Sequence, residues 1–235
     1  MPKNLAEADR MRAENADREA RLPSNFYGLD KPANLFLRQS QERVTLSLLN
    51  ASGMLPLTGR RILEVGCGTG TWLQTFRHFG AEPSSLAGID VDEGRIAKAR
   101  ALLPQADIRA SDAAQLPWPD GHFDVVAQYT VFTSVLDGPT RVAIAAEMRR
   151  VLKPGGVIIW YDFTYDNPRN KAVRGINVRG VERLFPRCAL DVRRVTLAPF
   201  LARRLVPLSW TLASLLEEAR VLNTHVAVAI RPRDS

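Results

Sequence analysis

The sequence is poor in the residue types on which disulfide frameworks, metal sites and membrane spans depend. It contains 2 cysteines and 3 histidines in 235 residues, and Cys67 lies far from Cys188 in the chain. This excludes a disulfide-stapled fold and gives no Cys/His cluster for a metal. No apolar run reaches the roughly 18 residues of a membrane-spanning helix, and residues 1–21 are charged throughout, unlike a secretory signal. We therefore expect a cytoplasmic globular protein with no metal.

Acidic residues are scarce in the C-terminal third. Residues 169–235 carry 13 Lys and Arg against 5 Asp and Glu, a net charge of +8, whereas residues 1–168 carry 19 against 20. Such a segment is typical of contact with a phosphorylated substrate or an anionic membrane surface, and equally of solvated arginines on helix faces. Nucleic acid is disfavoured as a partner because no RNA-binding module is appended. The segment "PFLARRLVPLSWTLASLL" leaves three uses open: peripheral membrane contact, a homodimer face or plain packing.

Short apolar runs alternate with helical patterns along the chain. We predict strands at 61–65, 85–90, 106–111, 123–130, 157–163, 190–198 and 224–230. We predict helices at 5–21, 33–50, 69–79, 92–103, 139–152 and 200–220, the last bent near Pro207. Continuous apolar strands separated by helices indicate an α/β fold with a parallel sheet covered on both faces. Residues 1–50 are predicted to form a helical N-terminal lid or extension, and residues 51–235 the main domain.

The stretch "RILEVGCGTGTW" (61–72) joins the first strand of this alternation to a glycine-rich turn. Gly66, Gly68 and Gly70 allow the backbone to approach a ligand beyond the carboxyl end of the strand. Thr71 replaces the third glycine of a dinucleotide fingerprint, and the lysine of a phosphate-binding P-loop is absent. Glu64 would repel a pyrophosphate and attract a cationic ligand in a poorly hydrated site.

Two further carboxylates follow the next two strands. Asp90 is placed to accept hydrogen bonds from ribose hydroxyls, a role shared with dinucleotide folds. Asp112 is placed to bind the amino group of an adenine whose face lies against Val91. The ligand with a cationic amino-acid end, a ribose and an adenine is S-adenosylmethionine.

Four motifs, "LEVGCGTG", "GIDVD", "SDAAQLPWPDGHFDVV" and "RRVLKPGG", occur in an order and spacing that resemble the class I S-adenosylmethionine-dependent methyltransferases. The resemblance spans about residues 60–163. It implies a Rossmann-like, seven-stranded, mostly parallel sheet with an antiparallel last strand inserted between strands five and six, and helices on both faces. It also implies contacts between the cofactor and Glu64, Gly66, Cys67, Gly68, Gly70, Asp90, Val91, Asp112, Ala113 and the backbone of Gln128. A dehydrogenase is disfavoured by Thr71 and Glu64, and a catalytically silent cofactor-binding subunit by the intact motifs.

The acceptor of the methyl group would lie beyond strands four and five. Strand four ends as "QYTVFTSVLDG", which offers Tyr129 and Thr133 as substrate contacts. Strand five ends as "WYDFTYDNPRNKAVRG", which offers Tyr165, Asn167 and Arg169 as donors to polar groups of a substrate.

A base is needed if the acceptor is a hydroxyl. An antiparallel last strand beside strand five would bring His225 close to Asp162, and we predict that the two form a general base with its orienting partner. The pattern "YDNPRN…VRG" resembles methyltransferases found with bacterial surface-polysaccharide assembly. That resemblance implies O-methylation of a small molecule or sugar, and C- or O-methylation of a quinone-like or lipid-like metabolite is the alternative.

Overall fold

A computed structural model describes residues 3–23, 25–166 and 170–233 of the chain. The seven strands are β1 Ile62–Val65, β2 Leu86–Asp90, β3 Asp107–Ala110, β4 Phe123–Tyr129, β5 Leu152–Phe163, β6 Cys188–Leu197 and β7 Asn223–Pro232. The helices are α1 Lys3–Arg21, α2 Pro32–Ala51, α3 Thr71–His78, α4 Glu93–Leu102, α5 Gly138–Arg150, α6 Val178–Leu184, α7 Pro199–Leu205 and α8 Trp210–Glu218. In this part of the chain, no helix combines the length and hydropathy that crossing a membrane requires.

All seven strands belong to one sheet in the order β3-β2-β1-β4-β5-β7-β6. β1 to β5 pair in parallel, and β7 runs antiparallel between β5 and β6. The carboxyl ends of β1 to β6 therefore meet at one edge of the sheet, which we call the carboxyl edge. This confirms the predicted Rossmann-like methyltransferase fold with its antiparallel last strand.

Side chains alternate between the two faces of the sheet, and each face is covered by helices. On what we call the α2 face, Ile62, Val125 and Ile159 pack against apolar residues of α2, α3 and α4. On the α5 face, Leu63 and Val126 pack against α5 and α6. The predicted burial of both faces is confirmed, and it explains why these strands are apolar runs without alternation.

Capping residues begin several of these helices. The side chain of Asp92 accepts the backbone N–H of Arg95 at the start of α4, and Asp137 accepts that of Thr140 at the start of α5. Asp92 lies two residues after the end of β2, so the chain turns sharply there at the carboxyl edge, whereas Asp137 follows β4 after the loop 130–136.

The chain departs from the predicted elements in three places. β5 begins at Leu152, five residues before the start of the predicted strand 157–163. The predicted helix 200–220 is two helices, because the chain turns at Val206–Ser209 and the Ser209 hydroxyl accepts the N–H of Leu212 to cap α8. The short helix α6 was not predicted. Within residues 1–50, α1 lines the cavity at the carboxyl edge, whereas α2 packs Leu48 and Leu49 into the core of the α2 face.

Candidate functional site

A cavity of about 290 Å³ opens at the carboxyl edge, beyond the ends of β1, β2 and β4. Its wall contains nine of the predicted site residues: Glu64, Gly66, Cys67, Gly68, Asp90, Val91, Asp112, Ala113 and Tyr129. They come from four separate stretches of the sequence, and the parallel sheet brings them together because each stretch follows a strand end. This is where ligands bind in open α/β sheets.

The glycine turn after β1 forms the floor of the cavity. Gly66 has φ +70°, and a Cβ placed there would lie 2.3 Å from Cγ2 of Val131, so any larger residue would collide with the loop after β4. The N–H of Gly68 donates to Oδ2 of Asp90 at 2.9 Å. The turn is thus fixed between two neighbouring strand ends, with its backbone exposed to the cavity.

Glu64 is buried at the cavity wall. Its Oε2 has no hydrogen-bond partner among the residues that the structure describes. Burial raises the pKa of its carboxyl well above the usual range, an effect that the charge of Asp90 reinforces and that Arg38 and the N–H of Leu73 oppose. A buried acceptor without a donor is costly, so the position is suited to a ligand that brings a cationic N–H donor.

Asp90 holds the two turns that follow β1 and β2. Its Oδ2 accepts the N–H of Gly68, and its Oδ1 accepts that of Asp92 at 3.0 Å. Burial raises the pKa of this carboxyl, although both backbone N–H groups and Arg95 counteract the shift. Each carboxylate oxygen has a second lone pair, and Asp90 can therefore also accept hydroxyl groups of a ligand.

Asp112 and Ala113 line the cavity in the loop that follows β3. Oδ1 of Asp112 accepts the N–H of Ala114 at 2.9 Å, which fixes the carboxylate at the start of this loop. Val91 forms the neighbouring apolar wall. Together these residues provide one acidic and one apolar contact at the end of the cavity.

An aromatic pair that the sequence did not indicate closes one side of the cavity. The rings of Trp72 and Tyr129 stack with their centroids 3.7 Å apart and an interplanar angle of 2°. The Arg38 guanidinium lies 4.2 Å from the Trp72 ring centroid, and the Tyr129 hydroxyl lies 3.2 Å from that of Thr45. Burial raises the pKa of the Tyr129 phenol, so this group remains neutral.

Helix α1 covers the cavity and is attached on two sides. On one side Oε1 of Glu7 accepts the N–H of Leu136 at 2.6 Å, and Arg10 donates to the carbonyl of Ser134. On the other side Arg12 donates to the carbonyl of Val91 at 3.2 Å. Polar contacts on these two sides hold α1 over the cavity, and Met11 of the same helix packs against the core of the α5 face.

Several predicted residues do not line the cavity. Gly70 occupies the N-cap of α3 with φ 83°, beside Ala99. Thr133 is buried against Asp162, and the exposed Tyr165 hydroxyl accepts a hydrogen bond from Arg194 at 2.8 Å. Asn167 and Arg169 lie outside the described residues. The side chain of Gln128 points into the α5 face and contacts Asp162.

The predicted contact between Asp162 and His225 is wrong. In the antiparallel pair β5–β7, Asp162 lies opposite Val226 and His225 lies opposite Phe163. Because successive side chains of a strand point to opposite faces, Asp162 enters the α5 face and His225 the α2 face. His225 stacks on Tyr161 with centroids 5.0 Å apart, and burial lowers its pKa to about 4.

Asp162 instead forms a buried network with β4 and the loop after it. It accepts the Thr133 hydroxyl at 2.6 Å and Nε2 of Gln128 at 2.9 Å, while Oε1 of Gln128 accepts the N–H of Val131. Burial raises the pKa of Asp162 to about 7 despite these hydrogen bonds and the nearby Arg141. The network shapes the loop that forms one wall of the cavity.

Comparison with known proteins places the chain in a family. Residues 62–156 match the family model described as "Methyltransferase domain". A phosphatidylethanolamine N-methyltransferase from Cereibacter sphaeroides is 36% identical over 169 residues, covering 68% of this chain and 76% of that protein. A 27-O-demethylrifamycin SV methyltransferase from Amycolatopsis mediterranei is 34% identical over 134 residues, covering 54% of this chain and 46% of that protein.

Other relatives are longer or share the fold alone. A probable S-adenosylmethionine-dependent methyltransferase from Mycolicibacterium smegmatis is 37% identical over 106 residues, covering 43% of this chain and 37% of that protein. The chain thus spans less than half the length of the relatives from Mycolicibacterium and Amycolatopsis. The crystal structure of the [4+2]-cyclase SpnF matches with a TM-score of 0.60 at 20% identity, covering 84% of this chain and 83% of that chain.

The chain belongs to the class I S-adenosylmethionine-dependent methyltransferases, and S-adenosylmethionine is its cofactor. The residues at the cavity fit this group, because the buried Oε2 of Glu64 lacks a donor and a side chain at Gly66 would fill the turn. In the part of the chain that the structure describes, no three His, Cys, Asp or Glu residues are grouped to hold a metal ion.

Proposed function

We propose that the protein transfers a methyl group from S-adenosylmethionine to a polar headgroup atom of an amphiphilic, lipid-like acceptor. The observation that carries the methyl-transfer part is the set of three carboxylates in the cavity wall, Glu64, Asp90 and Asp112, together with the buried, unpartnered Oε2 of Glu64. Such a wall favours a cationic ligand and disfavours a pyrophosphate. S-adenosylmethionine supplies an electrophilic methyl group on a positively charged sulfur.

The protein's own contribution is to align the acceptor and to exclude water. The Trp72–Tyr129 stack and the covering helix α1 enclose one side of the cavity. On the other side the loop after β4 presents Thr130 and Ser134 to the cavity. Thr130 has φ 60°, a strained conformation for this residue, which is retained because its N–H donates to the carbonyl of Tyr161 at 2.8 Å. We assign acceptor alignment to this rigid loop.

The protonation chemistry favours an amine over a hydroxyl acceptor. A hydroxyl requires a general base, and Asp162 and His225 do not form one. The acidic residue nearest the loop after β4 on the cavity wall is Glu7. Burial acts to raise its pKa, but hydrogen bonds from Arg10 and from the N–H of Leu136 together hold the pKa below its usual range, which makes it a weak base. An amine headgroup, with a pKa of about 10.4 like that of a lysine ammonium, loses its proton to water before its lone pair attacks the methyl group. A weak base at the site hinders this step less than the removal of a hydroxyl proton.

The proposed acceptor class rests on the names of two relatives and on the weak base at the site. The Cereibacter relative is named for phosphatidylethanolamine, an amphiphilic amine, and the Amycolatopsis relative for a hydroxyl of rifamycin. None of the relatives reported above is named for a saccharide, and O-methylation of a sugar stays a prediction of the sequence alone. An amine headgroup agrees with the name of the relative from Cereibacter, which this chain covers to 76%. It also agrees with the low basicity of Glu7 at the site.

The test is transfer of labelled methyl groups from S-adenosylmethionine to a panel of acceptors. The panel contains phosphatidylethanolamine, a quinol, a lipid-linked saccharide, a free sugar and RNA, with Asp90→Ala as the cofactor-binding control. Label in phosphatidylethanolamine that disappears with Asp90→Ala supports the proposal. Label confined to a saccharide or RNA would overturn the acceptor, and bound cofactor with no transfer to any acceptor would overturn the activity.

A further inference from the structure

The outer surface of α7 and α8 exposes large apolar side chains beside two arginines. We call this surface the docking face and define it by Phe200, Arg203, Arg204, Leu208, Leu212 and Leu215. The side chains of Leu208, Phe200 and Leu215 are 82%, 61% and 60% exposed. Isolated exposed leucines are common on soluble proteins, but the four large apolar side chains of this face, all exposed within residues 200–215, indicate an interaction surface.

The exposed apolar side chains of α8 in the docking face are not the residues through which this helix packs on the core. Helix α8 already buries Ala213 against Phe36 and the end of β6, and its Leu216 packs on the same cluster. Leu215 projects from the opposite side of the same short helix, and Leu212, one turn before Leu216, lies half-exposed at the edge of the buried side. Because α8 contacts the core through Ala213 and Leu216, the exposed side chain of Leu215 has no role in the core.

The arginines of the docking face are available to an anionic partner. Among the described residues, neither Arg203 nor Arg204 takes part in an ion pair, and both side chains are exposed. Arg203 lies 5.1 Å from the ring centroid of Phe26, which holds its position without neutralising its charge. They belong to the third of the chain with a net charge of +8.

The docking face lies at the same edge of the sheet as the cavity. β6 runs parallel to β5, so its last residue, Leu197, is at the carboxyl edge, and α7 follows directly. A chain of contacts then leads back to the cavity. Arg203 lies over Phe26, Phe26 packs on Tyr27, and Arg18 of the cavity wall donates to the Tyr27 hydroxyl at 2.5 Å.

We propose that the docking face binds the surface of an anionic lipid bilayer and turns the cavity edge toward the lipid. Apolar side chains at the acyl boundary, flanked by arginines at headgroup level, are the two features by which proteins bind membrane surfaces. A second copy of the chain fits less well, because both copies would bring unpaired arginines of the same charge to the contact. This inference goes beyond the proposed function and does not depend on which atom is methylated.

The test is co-sedimentation of the full chain with vesicles of phosphatidylglycerol, which contains no amine, and with vesicles of phosphatidylcholine. We expect binding to phosphatidylglycerol that weakens as salt is raised, and weaker binding to phosphatidylcholine. Arg203→Glu/Arg204→Glu and Leu208→Asp/Leu215→Asp should each lower the partition coefficient by at least about tenfold. Affinity for S-adenosylmethionine should be unchanged in both, which shows that the fold is intact.

The control variants introduce the same kinds of substitution, Arg→Glu and an apolar residue to Asp, outside the docking face. Arg179→Glu/Arg183→Glu reverses two exposed arginines one turn apart on α6, and Val142→Asp charges an exposed apolar residue of α5. These variants should lose less than about twofold of the binding. Equal binding by wild type and docking-face variants would overturn the proposal. A second result would also overturn the proposal: wild type that forms a dimer and binds no vesicles, with the dimer dissociating in the docking-face variants. That result would assign the docking face to a second copy of the chain.

Discussion

The side chains of Gln128 and Asp162 meet across β4 and β5 with a 2.9 Å hydrogen bond, inside the α5 face. The same Gln128 side chain accepts the N–H of Val131 in the loop that lines the cavity. The fully buried Asp162 thus fixes, through Gln128, the loop after β4 to which we assign acceptor alignment.

We predict that Asp162 makes the stability of the protein depend on pH. Its pKa rises from 3.8 in the unfolded chain to about 7 on folding. The stability that it contributes is therefore fully present below the unfolded value and is lost as the pH rises through the folded value. From about pH 5 to about pH 8 the free energy of unfolding should fall by about 3 kcal/mol more in wild type than in Asp162→Asn. Urea denaturation of both proteins at each pH measures the free energy of unfolding. The same dependence on pH in wild type and Asp162→Asn would contradict the prediction.

We predict opposite effects of Glu64→Gln on cofactor binding and on the stability of the free protein. The affinity for S-adenosylmethionine should fall by at least about tenfold, because a charged hydrogen bond to the ligand is lost. The unfolding free energy without ligand should rise by about 1 kcal/mol, because a carboxylate buried without a partner at Oε2 is removed. Calorimetric titration and thermal melts measure the two effects, with the exposed Glu82→Gln as control. A loss of both affinity and stability would argue for a purely structural role.

We predict that Glu7 controls the release of the cofactor. Glu7→Gln weakens the contact of α1 with the N–H of Leu136 and with Arg10, so S-adenosylmethionine should dissociate about tenfold faster. Because the pKa of Glu7 is lowered on folding, this contact is present above the unfolded value of about 4.5 and is lost as the pH falls through the folded value. Glu14→Gln is the control, since Glu14 pairs with Arg21 of the same helix. Equal dissociation rates in the two variants would place the closure of the cavity elsewhere.

We predict that Asp162→Asn and His225→Gln act independently. Their side chains enter opposite faces of the sheet, so the effects on kcat/KM in the double variant should add within about 0.5 kcal/mol. An NMR titration should also find His225 neutral down to a midpoint near the folded pKa of about 4. A double variant no worse than either single variant would restore the pair as one functional unit.

The cavity could be predicted from the sequence where each residue follows a strand end. Glu64, Asp90 and Asp112 are fixed by that placement, since a parallel sheet brings its strand ends to one edge. The face that Asp162 and His225 occupy could not be predicted in the same way. A shift of one residue in the β5–β7 register exchanges the two faces, and the apolar pattern around both residues is the same on either side.

The remaining differences arise from tertiary contacts. The stack of Trp72 on Tyr129 joins α3 to β4, and the attachment of α1 joins residues more than a hundred positions apart, as in the contact of Glu7 with Leu136. The helix α6 has 7 residues and a single buried side chain, Val181. A helix of two turns with one buried residue has no hydrophobic period by which the sequence could indicate it.

The positions of the indole groups provide two independent optical probes. Of the 4 tryptophans, Trp118 and Trp160 are buried in the core of the α5 face. Trp72 lines the cavity, and Trp210 lies at the start of α8, partly exposed beside Phe36. Emission from Trp72 should therefore change when the cavity is filled, whereas emission from Trp210 should be quenched by brominated acyl chains. Single Trp→Phe variants would separate the two signals. The order of cofactor binding and lipid contact can then be timed in one mixing experiment without a label attached to the protein.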